Sequence, residues 1–133
     1  MRLIDNDQLE DLYKQAEESA RLRSHLLMHD SHQDKVQRLL IALVKGSFVE
    51  PHYHELSHQW EMFVVMQGEI QVCLHSDSGE VIKEFTAGDS SGVKIVEFSP
   101  GDIHSVKCLS SRALMMEVKE GPFDPSFAKA FVR

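Results

Sequence analysis

From residue 36 onward, apolar residues come in short runs cut apart by turn residues. Val36–Val44 is apolar at alternate and intervening positions alike, the pattern of a strand covered on both faces. Lys45-Gly46 breaks it, and Ser47–Glu50 begins a further extended stretch that Pro51 is expected to limit. Trp60–Met66 reads as a strand ending at Gln67-Gly68. Glu69–His75 and Glu80–Phe85 flank a Ser-Asp-Ser-Gly turn and are predicted to pair as a hairpin. Ala87–Gly92 is a loop by composition, and Val93–Phe98, Ser105–Leu109 and Ala113–Val118 complete the set of short strands.

The N-terminal pattern has a different period. Leu9, Leu12, Tyr13 and Ala16 share one face of a helix, and the Asp7-x-x-Glu10 spacing suits a capping box at its start. Asp7, Glu10 and Asp11 would then fall in the first turn, where the helix dipole favours acidic groups, and the helix is expected to fade near Ser19. Residues 21–37, RLRSHLLMHDSHQDKVQ, follow neither period and are expected to form an ordered arm or loop with Leu22, Leu26, Leu27 and Met28 available for burial. After Gly121-Pro122 the tail FDPSFAKAFVR is expected to dock its apolar residues. Many short strands with Gly-rich turns predict a mainly β sandwich or barrel. At 133 residues the chain reads as a single domain: helix and arm over 1–35, barrel over 36–122, tail over 123–133.

Charge and composition narrow the function classes. Acidic residues outnumber basic ones 21 to 14, for a net charge of −7, which argues against a general nucleic-acid-binding surface. The longest apolar runs, Leu39–Val44 and Met62–Met66, fall far short of the roughly 20 residues a membrane helix needs. The N-terminus lacks an apolar h-region, so a cytoplasmic location is the default expectation. Cys73 and Cys108 form neither a CxxC nor a disulfide framework and read as reduced thiols in strands.

The chemistry concentrates in EPHYHELSHQWEMF, residues 50–63. His52 and His54 are two apart, which on a strand aims both imidazoles to one side. Glu61 opens the next strand and offers a carboxylate, and His104, after the turn Pro100-Gly101-Asp102, is the natural fourth donor. Three imidazoles and a carboxylate suit one divalent transition metal, Fe, Mn, Ni, Cu or Zn. A His-x-His pair alone is more often an ordinary polar loop; the joint pattern with Gly46, Gly68 and Pro-Gly-x-x-His favours a site.

This constellation resembles the cupin superfamily. Gly46, five residues, His52-Tyr53-His54, Glu61 and then Gly68 follow the first cupin motif, with a spacer of six residues between His54 and Glu61 that is about two longer than the common form. Ser99-Pro100-Gly101-Asp102-Ile103-His104 follows the second, with Ser at the usual Pro position and Cys108 where Asn is usual. More narrowly, RLRSHLLMHDSHQDKVQRLL, PHYH, WEMFVVMQGE and EVKEGPFDP resemble the WbuC family of cupin-fold metalloproteins, over nearly the whole length. The resemblance implies a double-stranded β-helix (jelly roll), metal ligation by His52, His54, Glu61 and His104, and a link to surface-polysaccharide synthesis. It also makes a homodimer the expectation.

Other residues carry weaker signals. His58, in the enlarged spacer, reads as an exposed loop histidine, with a gate or proton shuttle as the alternative. Arg38 shares strand phase with Leu40 and Ala42 and needs a partner if buried: either a core carboxylate such as Glu117 or a ligand anion in the pocket. Glu117 and Lys119 read as a solvated edge or a structural pair, and Cys108 as a pocket-lining thiol. Arg21, Arg23, His25, His29 and His32 form a second polar cluster, either a solvated arm, a cover for the pocket or a subunit contact. The functional expectation is a metal-dependent enzyme acting on a sugar or nucleotide-sugar-related small molecule, such as an isomerase or epimerase. The alternatives are an Fe(II) oxygenase-type cupin, a non-catalytic metal-dependent binding or sensor module, and a structural cupin whose site is a relic.

Overall fold

In the computed structural model, which describes residues 1–132, the chain begins with helix α1 (Asn6–Glu18). Ten strands follow: β1 (Arg23–Leu27), β2 (Val36–Val44), β3 (Phe48–Tyr53), β4 (Glu61–Gln67), β5 (Glu69–His75), β6 (Val81–Gly88), β7 (Ile95–Phe98), β8 (His104–Cys108), β9 (Arg112–Glu120) and β10 (Ala130–Phe131). They form two antiparallel five-stranded sheets, ordered β1-β2-β9-β4-β7 and β10-β3-β8-β5-β6, packed as a jelly roll. No helix among the described residues is long and apolar enough to cross a membrane.

Strand β2 shows why the sequence lacked alternation there. Leu39, Ile41 and Leu43 face the other sheet and join the barrel core with Phe63, Ile70, Val72 and Met115. Leu40, Ala42 and Val44 face outward, where Leu12, Tyr13 and Ala16 of α1 cover them. Each face buries apolar area at about 25 cal/mol per Å², so both hold the strand.

Helix α1 is capped two residues earlier than its D-x-x-E spacing suggested. Asp5 accepts the Gln8 backbone N–H (3.0 Å), while the Asp5 N–H donates to the Gln8 side chain (3.2 Å). Glu10 is drawn away from capping by Arg112, which donates to both of its carboxylate oxygens at 2.7 and 2.8 Å. The helix ends at Ser19, as expected.

Two sequence expectations need correction. The segment 21–37 contains the edge strand β1, in register from Arg23↔Leu43 to Leu27↔Leu39. Its alternation was hidden because Arg23, His25 and Leu27 look into a cavity, while Leu26 packs beneath α1 and the Ser24 hydroxyl donates to the Leu12 carbonyl. Pro51 does not end β3, which runs to Tyr53; the proline sits where the register with β8 shifts between Val49 and His52, at a bulge that needs no ladder N–H. The hairpin of β5 and β6 forms as expected.

At Gly68 the backbone adopts φ +71°, and a Cβ there would lie 2.2 Å from the Arg112 carbonyl oxygen, so the β4–β5 corner closes against β9 only with glycine. The tail does dock. Its short 3-10 turn, Pro125–Phe127, leads to β10, which pairs with β3 at Ala130↔Tyr53 and Phe131↔His52.

Candidate metal centre

Strand register builds the site. His52 on β3 stands opposite His104 on β8, and Glu61 on β4 stands opposite Lys119 on β9. His54 follows β3 directly. All four residues are buried, and one donor atom from each lies within 4.8 Å of the others.

Each imidazole is oriented by its far nitrogen. Nδ1 of His52 donates to the Glu50 carbonyl (2.8 Å), that of His54 to the Ala128 carbonyl (2.8 Å) and that of His104 to the Asp102 carbonyl (2.9 Å). A carbonyl only accepts, so each Nδ1 carries its hydrogen and each neutral ring keeps its lone pair on Nε2. The Phe98 ring stacks on His104 with centroids 3.8 Å apart, fixing its plane. Backbone-anchored imidazoles of this kind are how proteins orient metal-ligating histidines.

The electrostatics agree with that donor set. Burial alone would raise the Glu61 carboxyl, but the close approach of His104 and then His54 holds it well below the usual carboxylate range. Burial, then the neighbouring His104, pushes His52 down to about 4, so its ring is neutral near pH 7. His104 Nε2 lies 2.7 Å from one Glu61 oxygen and His54 Nε2 lies 3.2 Å from the other. His54 Nε2 is buried there without a hydrogen-bond partner among the described residues. An ionised carboxylate has no proton to give these lone pairs. A single cation would satisfy Glu61 and all three Nε2 atoms together, so the cluster could hold a metal ion.

The cluster opens onto a cavity of about 500 Å³. Leu39, Ile41, Phe63, Val106 and Met115 form an apolar wall, and Arg23, Lys119 and Lys129 contribute a cationic side, with the imidazoles of His25, His29 and His32 beside them. Burial, then Arg21 and Arg23, pushes His25 down to about 4, so its ring is neutral near pH 7. Gln37, fully buried, donates to the Ser31 and Asp34 carbonyls at 3.1 and 2.8 Å, holding the loop that carries His32. His32 packs on Phe123, with ring centroids 4.9 Å apart, and closes that side of the chamber.

Several sequence-derived candidates stand elsewhere. Arg38 shares phase with Leu40 and Ala42 as expected, but that face lies beneath the arm and helix; Gln37 is the polar β2 residue that lines the cavity, with Leu39, Ile41 and Leu43 on the same face. Cys108 is not pocket-lining: it lies in the core beside Ile70, its thiol donates to the Ser110 carbonyl at 3.3 Å, and burial pushes its pKa up. Glu117 and Lys119 are not a solvated edge, because β9 runs between β2 and β4. Both line the cavity, 3.6 Å apart, and Glu117 is pushed up to about 8 by burial and by the Glu61 charge beside it, with Lys119 opposing. His58 is half-buried and lines a narrow crevice with His54 and Trp60.

Sequence reasoning missed Lys129 and the Ala128 carbonyl. The only signal was the apolar spacing of the tail, whose docking brings both residues to the site. The spacer between the ligand strands is itself tied to that tail: Gln59 accepts the Leu56 N–H (2.8 Å) and donates to the Phe127 carbonyl (2.7 Å).

A family model described as "Domain of unknown function (DUF6016)" matches residues 4–87, a span that includes His52, His54 and Glu61. No curated protein matches the chain. Among solved structures, the capsular polysaccharide assembling protein CapF from Staphylococcus aureus is 19% identical with a TM-score of 0.70, over 86% of this chain and 33% of CapF. The chain therefore spans about a third of that protein's length. A cupin superfamily protein from Desulfitobacterium hafniense is 14% identical with a TM-score of 0.57, over 74% of this chain and 76% of its own. Oxalate oxidase in complex with the substrate analogue glycolate is 14% identical with a TM-score of 0.62, over 86% of this chain and 57% of its own. These likenesses establish the cupin jelly-roll fold.

Proposed function

The chain belongs to the DUF6016 family, and from that premise we propose that it is a mononuclear metalloprotein acting on a small sugar-derived molecule in surface-polysaccharide metabolism. One observation carries the reading: three buried imidazoles have their Nδ1 hydrogens committed to carbonyls, and their Nε2 lone pairs converge on one ionised carboxylate beside an open chamber. The polysaccharide setting is supported by the sequence resemblance to the WbuC family and by the shared fold with CapF, a capsular polysaccharide assembling protein by name.

When bound, a divalent metal would supply Lewis-acid polarisation of a substrate carbonyl or hydroxyl. The chain's own residues do the rest. The apolar wall lowers the local dielectric beside the donor cluster and so strengthens polar contacts there. Burial raises the Glu117 pKa and favours its protonated form beside the donor cluster, which places a carboxyl able to exchange a proton with a group in the chamber. Lys119 tempers that rise and sets the Glu117 carboxyl in place.

Elemental analysis of purified protein tests the metal. The expected result is about one transition-metal ion per chain, lost in the His52→Ala/His54→Ala double variant. Unchanged metal in that variant overturns the site. Assays of sugar phosphates and nucleotide sugars with metal-loaded protein then separate an enzyme from a binding module: turnover abolished by His104→Ala marks an enzyme, and tight binding without turnover marks a module.

A further inference from the structure

The cationic side of the chamber has no use in holding a metal, and its composition runs against the chain. Acidic groups outnumber basic ones by seven overall, yet Arg23 and Lys129 both line this cavity, beside the His25 imidazole. They arrive from two separated elements, edge strand β1 and the segment between the 3-10 turn and β10. Lys119, the other lysine lining the chamber, pairs with Glu117 at 3.6 Å. Arg23 and Lys129 have no carboxylate within ion-pairing distance among the described residues. Arg23 reaches only the Phe48 carbonyl, at 3.4 Å, which leaves most of its guanidinium donors unused.

We propose that Arg23 and Lys129, beside His25, form an oxyanion subsite, so that the molecule taken by this chamber carries a phosphate or carboxylate at one end and meets the metal donors with the other. The inference rests on the metal-dependent reading above and adds the charge class of its ligand.

Three physical arguments support it. An arginine fork and a lysine on one wall offer the directional and point-charge donors with which proteins bind phosphate and carboxylate. The cations also repel one another. Burial first, then Arg21, lowers the Arg23 pKa. Lys129 is accessible through the mouth, yet protein surrounds its ammonium closely enough that desolvation, followed by Arg23 and Arg21, lowers its pKa as well. Glu50 opposes this for Arg23, and Glu61 and Glu117 oppose it for Lys129, but only in part. A ligand oxyanion would relieve that repulsion. Finally, a chamber of about 500 Å³ is in the range of small-molecule sites and has room for a monosaccharide bearing one such group.

The experiment is calorimetry on metal-loaded full-length protein, with glucose 1-phosphate, glucuronate and glucose as probes, and metal content measured in parallel. Wild-type protein is expected to bind at least one of the two anions tenfold or more tighter than glucose; which one identifies phosphate or carboxylate. The Arg23→Gln/Lys129→Gln double variant should lose that tenfold preference and keep its metal. The His52→Ala/His54→Ala variant should lose metal and still bind inorganic phosphate or acetate at the cationic wall, according to the preferred class. Equal affinity for anions and glucose in wild type overturns the proposal, as does a preference that survives in Arg23→Gln/Lys129→Gln. Failure of the metal reading would appear separately, as metal retained by the His52→Ala/His54→Ala variant.

Discussion

The two ends of the barrel are made from the same strands and serve opposite ends of the argument. At one end β2, β4, β5, β8 and β9 contribute Leu43, Val65, Ile70, Cys108 and Ala113, a close-packed apolar plug sealed by the Gly68 corner. Toward the other end four of these strands turn polar: Gln37 on β2, Glu61 on β4, His104 on β8, Glu117 and Lys119 on β9. Register places these residues in one layer, with Gln37 and Glu61 both opposite Lys119, and His52 opposite His104. The plug end buries side chains that stabilise simply by leaving water. The polar end buries groups that cost stability unless something satisfies them. Stability and chemistry are therefore separated along the length of each strand.

The sharpest way to break that contrast is to make the polar end apolar. His104→Leu fills the fully buried position with hydrocarbon. It should leave a folded protein with the same far-UV circular dichroism, and lower metal affinity by well over about tenfold, since even outer-shell partners are worth that much. Metal retained at wild-type affinity would mean that the layer is a structural polar network.

At the plug end the effect should fall on stability. Ile70→Ala removes a side chain that is 0% exposed, and should cost about 2–5 kcal/mol in denaturant unfolding. The folded fraction should still bind metal stoichiometrically. Loss of metal with intact fold would show that the two ends are coupled.

The smallest effect sharpens the boundary between them. Glu117 holds its proton up to about pH 8 in the folded chain, whereas an unfolded glutamate releases it near 4.5. The folded state thus binds more protons between those values, so this group's contribution to stability falls as pH rises from about 4.5 to about 8 and stays low above that. Glu117→Gln cannot ionise and removes the fall. In metal-free protein its melting temperature should exceed that of wild type by a few degrees near pH 8.5 and by much less near pH 5. A constant difference across that range would mean that Glu117 titrates as an ordinary surface glutamate.

Much of this was legible in the chain itself. The strand runs from Val36 to Val118 came through within a few residues, because short apolar runs bounded by Gly, Ser and Asp admit few other readings. The spacing of His52, His54 and Glu61, with Pro100-Gly101 before His104, named the donors that the fold gathers. Edge strand β1 was not legible, since its inner face carries Arg23 and His25 where a strand usually shows apolar residues. Arg38 was misread for a related reason: β2 is apolar on both faces, and alternation separates two faces without saying which one looks inward.

Local chemistry by itself determined which segments extend, where they turn and which side chains can donate to a metal. Tertiary structure alone decided what those donors face. The Ala128 carbonyl that holds the His54 tautomer lies 74 residues from it, and Lys129 reaches the chamber only because the tail pairs with β3. Such contacts join positions with no local constraint on one another, so they exist only once both sheets have closed around the site.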